Sequence, residues 1–261
     1  MPFSIDGSVA VVTGATRGIG RQIAFRLGRS GAKLVVVGRT GADHPDALLP
    51  GSLPEVVAAL AEEGIEARSV QADLTSSDDI ARIVADTLEW HGGCDILVNN
   101  AAYTSNGPII EVPWARWEKG FRVQVVGPMQ LCQGLVPKML ERGTGRVLSV
   151  SSGASLSLSH NLALYSTTKQ AMERWSEYMN LELGGKGVTF NVLRVDSIVS
   201  TEGWWHVYNT QGEDIATGGN GLDTLQTPEY AATCAEWMIR QPDDWSGHST
   251  GFKDIEALGG P

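Results

Sequence analysis

Tyr165 and Lys169 stand four residues apart, a spacing that puts both side chains on one face of a helix, one turn from each other. A tyrosine hydroxyl ionises near pH ~10 in water and is a poor base at neutral pH. A neighbouring ammonium favours the phenolate and brings the hydroxyl towards a working range. The pair is therefore suited to moving a proton to or from an oxygen. Such pairs are common on surface helices, and Ser152, thirteen residues before Tyr165, gives this one its meaning. It follows the apolar run Arg146 to Val150, which reads as a strand, and so falls at the carboxyl edge of a sheet, where ligands of open α/β folds bind. Ser151 is the alternative serine. His160 lies close by in sequence, but no Gly-x-Ser-x-Gly elbow accompanies it, which argues against a Ser-His-Asp hydrolase. No His, Cys or Glu cluster has zinc spacing, so the chemistry is expected to need no metal.

A second group of residues is suited to phosphate. Thr13-Gly14-Ala15-Thr16-Arg17-Gly18-Ile19-Gly20 follows the β-branched run Val9 to Val12. Gly14 allows a tight turn, Gly18 a close approach of backbone to pyrophosphate, and Gly20 close packing of the new helix on the sheet. The helix start then offers free N–H groups and its positive dipole end. The spacing is Gly-x3-Gly-x-Gly rather than Gly-x-Gly-x-x-Gly, but the strand-then-helix context is the one such a motif requires. An NAD site usually carries an acidic residue after the second strand. Here Gly38-Arg39-Thr40 stands there, with no carboxylate before Asp43. Arg39 and Arg17 together suit a 2′-phosphate, which a guanidinium binds bidentately. The expected cofactor is NADP(H), with NAD(H) the less favoured alternative.

These groups need elements to hold them. Strands are expected at Val9–Val12, Lys33–Val37, Arg68–Gln71, Asp95–Val98, Arg146–Val150 and Val188–Leu193. Helical spacing runs through Ile19–Leu27, Leu53–Glu63, Ser77–Trp90, 113–141 and 164–183. Alternation of this kind predicts a single-domain α/β fold over residues 1–261, a Rossmann-like doubly wound parallel sheet flanked by helices on both faces. Two stretches break the rhythm. Residues 40–54 form a long Pro- and Gly-rich connection, and residues 200–227 combine Trp204, Trp205 and Tyr208 with Gly218-Gly219-Asn220-Gly221. The second is expected to be a lid over the ligand; a solvent loop and an oligomer contact are its alternatives.

The ordered set TGATRGIG (13–20), Asp73, NNAA (99–102) and Tyr165-Ser166-Thr167-Thr168-Lys169 resembles the short-chain dehydrogenase/reductase family over roughly residues 5 to 200. The resemblance implies an alcohol/ketone oxidoreductase. In it Ser152 orients the substrate oxygen, Tyr165 is the acid/base, and Lys169 holds the ribose and lowers the tyrosine. It further implies that Asp73 contacts the adenine and that Asn99 helps to hold the strand at the cofactor. Gly14, Thr16, Arg17, Gly18, Ile19, Gly20, Arg39, Thr40, Leu74, Asn100, Ala101, Tyr165, Lys169 and Ile198 complete the implied cofactor contacts. A homo-oligomer, dimer or tetramer, is also implied.

There are three departures from the pattern. Gln124 stands where the family carries an Asn of its catalytic tetrad. Gln124 either reaches towards Lys169 or turns away from it. Val195-Asp196 replaces the usual Pro-Gly, with Asp able to take the left-handed region. Gly251 to Glu256 makes a weak final strand. Tyr103, Trp114, Trp204 and Trp205 are expected to border the substrate end, which favours an apolar or cyclic substrate. The 44–54 stretch faintly resembles hydroxysteroid-dehydrogenase-like relatives. A 3-oxoacyl thioester reductase and an NADP(H)-binding regulator without turnover are the alternative functions.

The bulk properties agree with this reading. The net charge of −10, without a cationic block, argues against a nucleic-acid partner. No apolar run is long enough for a membrane span. Three scattered cysteines indicate a reducing compartment. The first motif begins at Thr13, which leaves no room for a cleavable leader, so a cytoplasmic location is expected.

Overall fold

Every residue of β1 (Val9–Thr13) is buried, and so is every residue of β2 (Lys33–Gly38) after Lys33. Strands covered on both faces can be continuously apolar, and alternate residues then serve alternate cores. Ala10, Val12, Leu34, Val36, Ile96 and Val98 pack with Ile23, Leu27, Leu60, Ala235 and Ile239 on one face. Val9, Val11, Val35, Val37 and Leu97 pack with Ile83, Leu131, Leu135, Met139 and Met172 on the other. Each large apolar side chain buried in this way contributes about 1.5–3 kcal/mol.

The computed structural model describes residues 1–41, 49–212 and 225–261. After β1 come α1 (Gly18–Arg29), β2, α2 (Leu53–Glu62), β3 (Ala67–Gln71), α3 (Ser77–His91) and β4 (Ile96–Asn99). Next are α4 (Trp114–Phe121), a π-helical turn (Arg122–Val126), α5 (Gly127–Arg142), β5 (Gly145–Ser152), a 3-10 turn (Gly153–Ser155) and α6 (Ala163–Leu183). β6 (Val188–Val195), α7 (Glu202–Gln211), α8 (Pro228–Ile239), β7 (Ser249–Gly251) and α9 (Phe252–Ala257) complete the chain. The strands form one parallel sheet in the order β3-β2-β1-β4-β5-β6-β7. Helices lie on both of its faces, as in the doubly wound Rossmann-like fold. The chain reverses its direction of winding between β1 and β4, and a crevice opens there beyond the strand ends.

The structure corrects three expectations. The 113–141 helix is two helices joined by the π turn. The last strand is Ser249–Gly251, and Phe252–Ala257 is helical because Asp254 caps its first turn by accepting from Gly251 N at 3.1 Å. Asp196 does not take the left-handed region, since Asn161 is the one non-glycine residue with positive φ among those described. Its carboxylate instead accepts from Phe252 N at 3.1 Å and ties the end of β6 to α9. Asn99 is buried with its Nδ2 towards Cys132 Sγ, 3.8 Å away.

The three cysteines are buried free thiols, and burial pushes Cys132 up to about 12 and Cys234 to about 11. Of the 200–227 stretch, Gly218–Gly221 lie outside the described residues, as do residues 44–48 of the 44–54 connection. The two ends of the former are pinned together: Val199 pairs with Gln226, with Ser200 N donating to Gln226 O at 3.0 Å and Gln226 N to Ile198 O at 2.7 Å.

Candidate active site

The buried Thr13 at the tip of β1 organises the crevice. Its hydroxyl donates to Val98 O at 3.2 Å and accepts from Asn100 N at 3.0 Å and Ala101 N at 3.1 Å. Asn100 Nδ2 returns to Thr13 O at 2.9 Å and Gly14 O at 3.3 Å, which locks the turn after β4 against the glycine loop. Gly14 and Gly18 are left-handed, with φ of 67° and 54°, a region costly for a side-chain-bearing residue. A Cβ at Gly20 would collide with Asn100 and with the Gly14 carbonyl, so α1 approaches as closely as it does only because the residue is glycine.

Arg17 Nη2 donates to Thr40 Oγ1 at 3.2 Å and reaches Gly51 O at 3.5 Å. These bonds draw the connection after β2 towards the loop. Arg39 is exposed and its carbonyl accepts from Gln71 Nε2 at 3.3 Å. Asp73 accepts from Thr75 N at 2.8 Å, fixing the turn that follows β3. A cavity of about 1230 Å³ runs from these residues to α6, and every expected cofactor or catalytic residue except Gln124 lines it, Leu74, Ile19 and Ile198 included. Two residues that sequence reasoning missed also reach it or its rim. Glu202, in the first turn of α7, accepts from Gly18 N at 3.0 Å. Its carboxylate therefore rests on an amide of the α1 N-terminus, where the loop would receive a phosphate. Arg194 also lines the cavity, from the end of β6.

Lys169 is buried, and Nζ donates to Val150 O at 2.6 Å, 5.6 Å from the centre of the Tyr165 ring. Burial lowers the ammonium to about 8 against the opposing pull of Glu173. Tyr165 is half-buried at the cavity wall. Burial raises its hydroxyl, and a hydrogen bond with the Ser152 side chain acts the other way. Ser151 is distinguished from Ser152 by its partner: its hydroxyl donates to Glu173 at 2.6 Å, while Ser152 Oγ accepts from Ala154 N at 3.2 Å.

Gln124 is fully buried in the π turn, a distortion often found at functional sites. Its Oε1 accepts from Tyr103 N at 2.9 Å and its Nε2 donates to Thr168 Oγ1 at 2.9 Å. Thr168 Oγ1 donates in turn to Tyr165 O at 2.9 Å. The amide is thus turned away from Lys169 and joins the turn after β4 to α6.

Glu173, also missed in the sequence, lies one turn beyond Lys169. Burial would raise its carboxyl, but hydrogen bonds from Arg194, Ser151 and Ser155 bring it below the ordinary range. Of the expected aromatics, Tyr103 and Trp204 line the cavity, whereas Trp114 is exposed and, like Trp205, lies off the wall. Trp204, Trp205 and Tyr208 pack together with ring centres 4.8–5.4 Å apart.

The family model described as short chain dehydrogenase matches residues 8–211. Dehydrogenase/reductase SDR family member 4 of Bos taurus is 34% identical over 190 residues, which are 72% of this chain and only 65% of that protein. Tetrahydroxynaphthalene reductase of Pyricularia oryzae is 29% identical over 88% of this chain and 76% of its own length. The solved L-sorbose reductase from Gluconobacter frateurii, complexed with NADPH and L-sorbose, superposes with a TM-score of 0.84 at 26% identity, covering 96% of this chain and 97% of its own.

Gln124→Leu leaves Tyr103 N and Thr168 Oγ1 without their buried partner. A loss of about 1–3 kcal/mol is expected, read as a lower midpoint in chemical unfolding. Gln124→Asn, one methylene shorter, is expected to keep one of the two bonds and to fall between Leu and wild type.

Proposed function

The chain belongs to the short-chain dehydrogenase family, and on that premise we propose that it exchanges a hydride between NADP(H) and a secondary alcohol or ketone with an apolar or cyclic body. The observation that carries the reading is the meeting of Ser152, Tyr165 and Lys169 on the wall of the cavity that also holds the glycine loop. The loop fits a dinucleotide. Gly18 keeps its amide clear of any side chain of its own, and α1 has no acidic residue in its own first turn; the carboxylate at its positive end, Glu202, comes from α7.

Gly14, Thr16, Arg17, Gly18, Ile19 and Gly20 would hold the pyrophosphate. Arg39 and Thr40 would hold the 2′-phosphate, and Asp73 and Leu74 the adenine. Asn100, Ala101, Lys169 and Ile198 would hold the nicotinamide half. When bound, the nicotinamide ring supplies or accepts the hydride. Ser152 holds the substrate oxygen, Tyr165 passes its proton to that oxygen, and Lys169 stabilises the phenolate left behind. Burial raises the Tyr165 hydroxyl, which suits its role as the proton donor to a carbonyl oxygen. Gln124 acts on this set through Thr168 rather than through Lys169.

Leu156, Leu162, Trp204 and Val207 offer an apolar wall to the substrate. The naphthalene named for the Pyricularia oryzae relative is a cyclic substrate of the expected kind. The NADP(H) preference is supported by Arg17 and Arg39 at the cavity and by the NADPH in the L-sorbose reductase structure. Helix α7 is the described part of the lid. Its Trp204 lines the cavity, and its Glu202 must leave Gly18 before a phosphate can bond there.

Tyr165→Phe is expected to bind NADPH as wild type does and to lose more than nine tenths of kcat for ketone reduction. Retention of a tenth or more, a loss under about 1.4 kcal/mol, would rule the tyrosine out as proton donor. Arg39→Asp should weaken NADPH relative to NADH by about tenfold or more, since a charge-assisted contact is worth roughly 1.5–3 kcal/mol. Unchanged KM values for both cofactors would contradict that role. Glu202→Gln should bind NADPH several-fold more tightly in a fluorescence titration, and weaker binding would show that the carboxylate assists the cofactor instead of giving way to it.

A further inference from the structure

Helix α6 grips the end of β5 at three points. Lys169 Nζ donates to Val150 O at 2.6 Å. Glu173 Oε1 accepts from Ser151 Oγ at 2.6 Å and from Ser155 Oγ at 2.5 Å. Tyr165 meets Ser152. Ser152 thus lies between two residues whose hydroxyls share one carboxylate oxygen. The same carboxylate takes Arg194 Nη2 at 2.7 Å on Oε2 and Arg194 Nε at 3.3 Å on Oε1, so β6 is tied in as well. Glu173 is 6% exposed, and a buried carboxylate persists in charged form only when fully bonded in this way. Tyr165, Lys169 and Glu173 are spaced by four residues each and follow one stripe of the helix.

We propose that Glu173 is a positioning residue for the chemistry of Ser152, Tyr165 and Lys169, holding the serine-bearing turn to α6 and setting a negative charge one turn from the lysine. The proposal rests on the catalytic reading given above. A neutral amide at position 173 would accept from the two serines equally well. The choice of a carboxylate is explained by what faces it: the guanidinium of Arg194 from β6 and the ammonium of Lys169 from its own helix. Charged or titratable groups that line the same cavity include Tyr165 on α6, Arg194 on β6, Asp196 after β6, Lys119 on α4, His206 on α7 and Asp254 on α9, with Asp73, Arg17 and Arg39 towards its other end. From β5, Lys169 bonds the Val150 carbonyl. Of the carboxylates, Glu173 is the one that acts on Lys169 directly, opposing the loss of its proton. Removing that charge removes what keeps a buried ammonium charged at neutral pH.

The test is the titration of Lys169 in the cofactor-free protein, followed by NMR of lysine labelled with carbon-13 at Cε and assigned with Lys169→Met. Wild type is expected to titrate near 8 and Glu173→Gln at least one pH unit lower, a change of about tenfold in the ammonium's proton affinity. In the holoenzyme the alkaline fall of kcat/KM for ketone reduction should move down by the same amount, with NADPH affinity at pH ~6 unchanged within about twofold. A Glu173→Gln titration that superposes on wild type would overturn the proposal, however much activity is lost. Should Glu173→Gln not fold, Glu173→Asp keeps the charge and draws it back from the serines. It is expected to titrate like wild type with kcat lowered about tenfold, and wild-type kcat in that variant would equally overturn the proposal. Tyr165→Phe separates the two readings. If it is inactive while Glu173→Gln titrates as wild type, only the role of Glu173 falls; if it is active, the catalytic reading falls first.

Discussion

Helices cover both faces of the seven-stranded sheet, so an unpaired polar group on a central strand would have neither water nor a partner. The strand ends are the remaining places for such groups, and parallel strands bring all their carboxyl ends to one edge. Thr13, Asn100, Ser151, Ser152 and Arg194 stand at or just past those ends. Each is bonded to a neighbouring strand or helix rather than left to solvent. The crevice exists because β1 and β4 are neighbours in the sheet while their crossover connections depart in opposite directions. Thr13 and Asn100 close the gap between the two turns at its floor.

The chain is acidic as a whole, yet the cavity contains Arg17, Arg39, Lys119, Lys169 and Arg194. A cationic pocket within an acidic surface draws a polyanion to one place and repels it elsewhere. The cations are not equivalent. Arg194 is engaged by Glu173, Lys169 is bonded to a backbone carbonyl and Arg17 is bonded to Thr40. Arg39 is exposed at the outer end. The side-chain bonds that hold these cations thus grow in number from the Arg39 end of the cleft towards Lys169 and Arg194.

Much of this was legible in the residues. The strands could be read because burial on both faces demands unbroken apolar runs, and the glycine loop because its spacing and its place after β1 are both required. Tyr165, Lys169 and Ser152 could be read because a helix repeat and a strand end set where they fall. Glu173 has the same helical spacing from Lys169, and that signal was available; what could not be read was that Ser151, Ser155 and Arg194, from two other elements, would converge on it. Gln124 was legible as a departure but not in its direction, since the π turn that rotates its amide towards Thr168 leaves no mark in the pattern of apolar residues. Asp196 was mistaken for a backbone device when its role is that of a side-chain acceptor for Phe252. Trp114 shows the limit of reading aromatics as pocket walls: its segment approaches the cleft while its ring faces out.

Glu202 gives the amide of Gly18 a partner before any ligand arrives. An anion arriving at Gly18 finds that amide already bonded and must exchange with a carboxylate that is tethered to the same chain and returns at high local concentration. A single phosphate offers little more than the carboxylate it would displace. A molecule that also engages Arg39, Asp73 and Asn100 along the length of the cleft gains contacts that the tethered carboxylate cannot match. At this amide the arrangement disfavours a small anion more than an extended one, so a preference for ligand length starts in the first turn of α1.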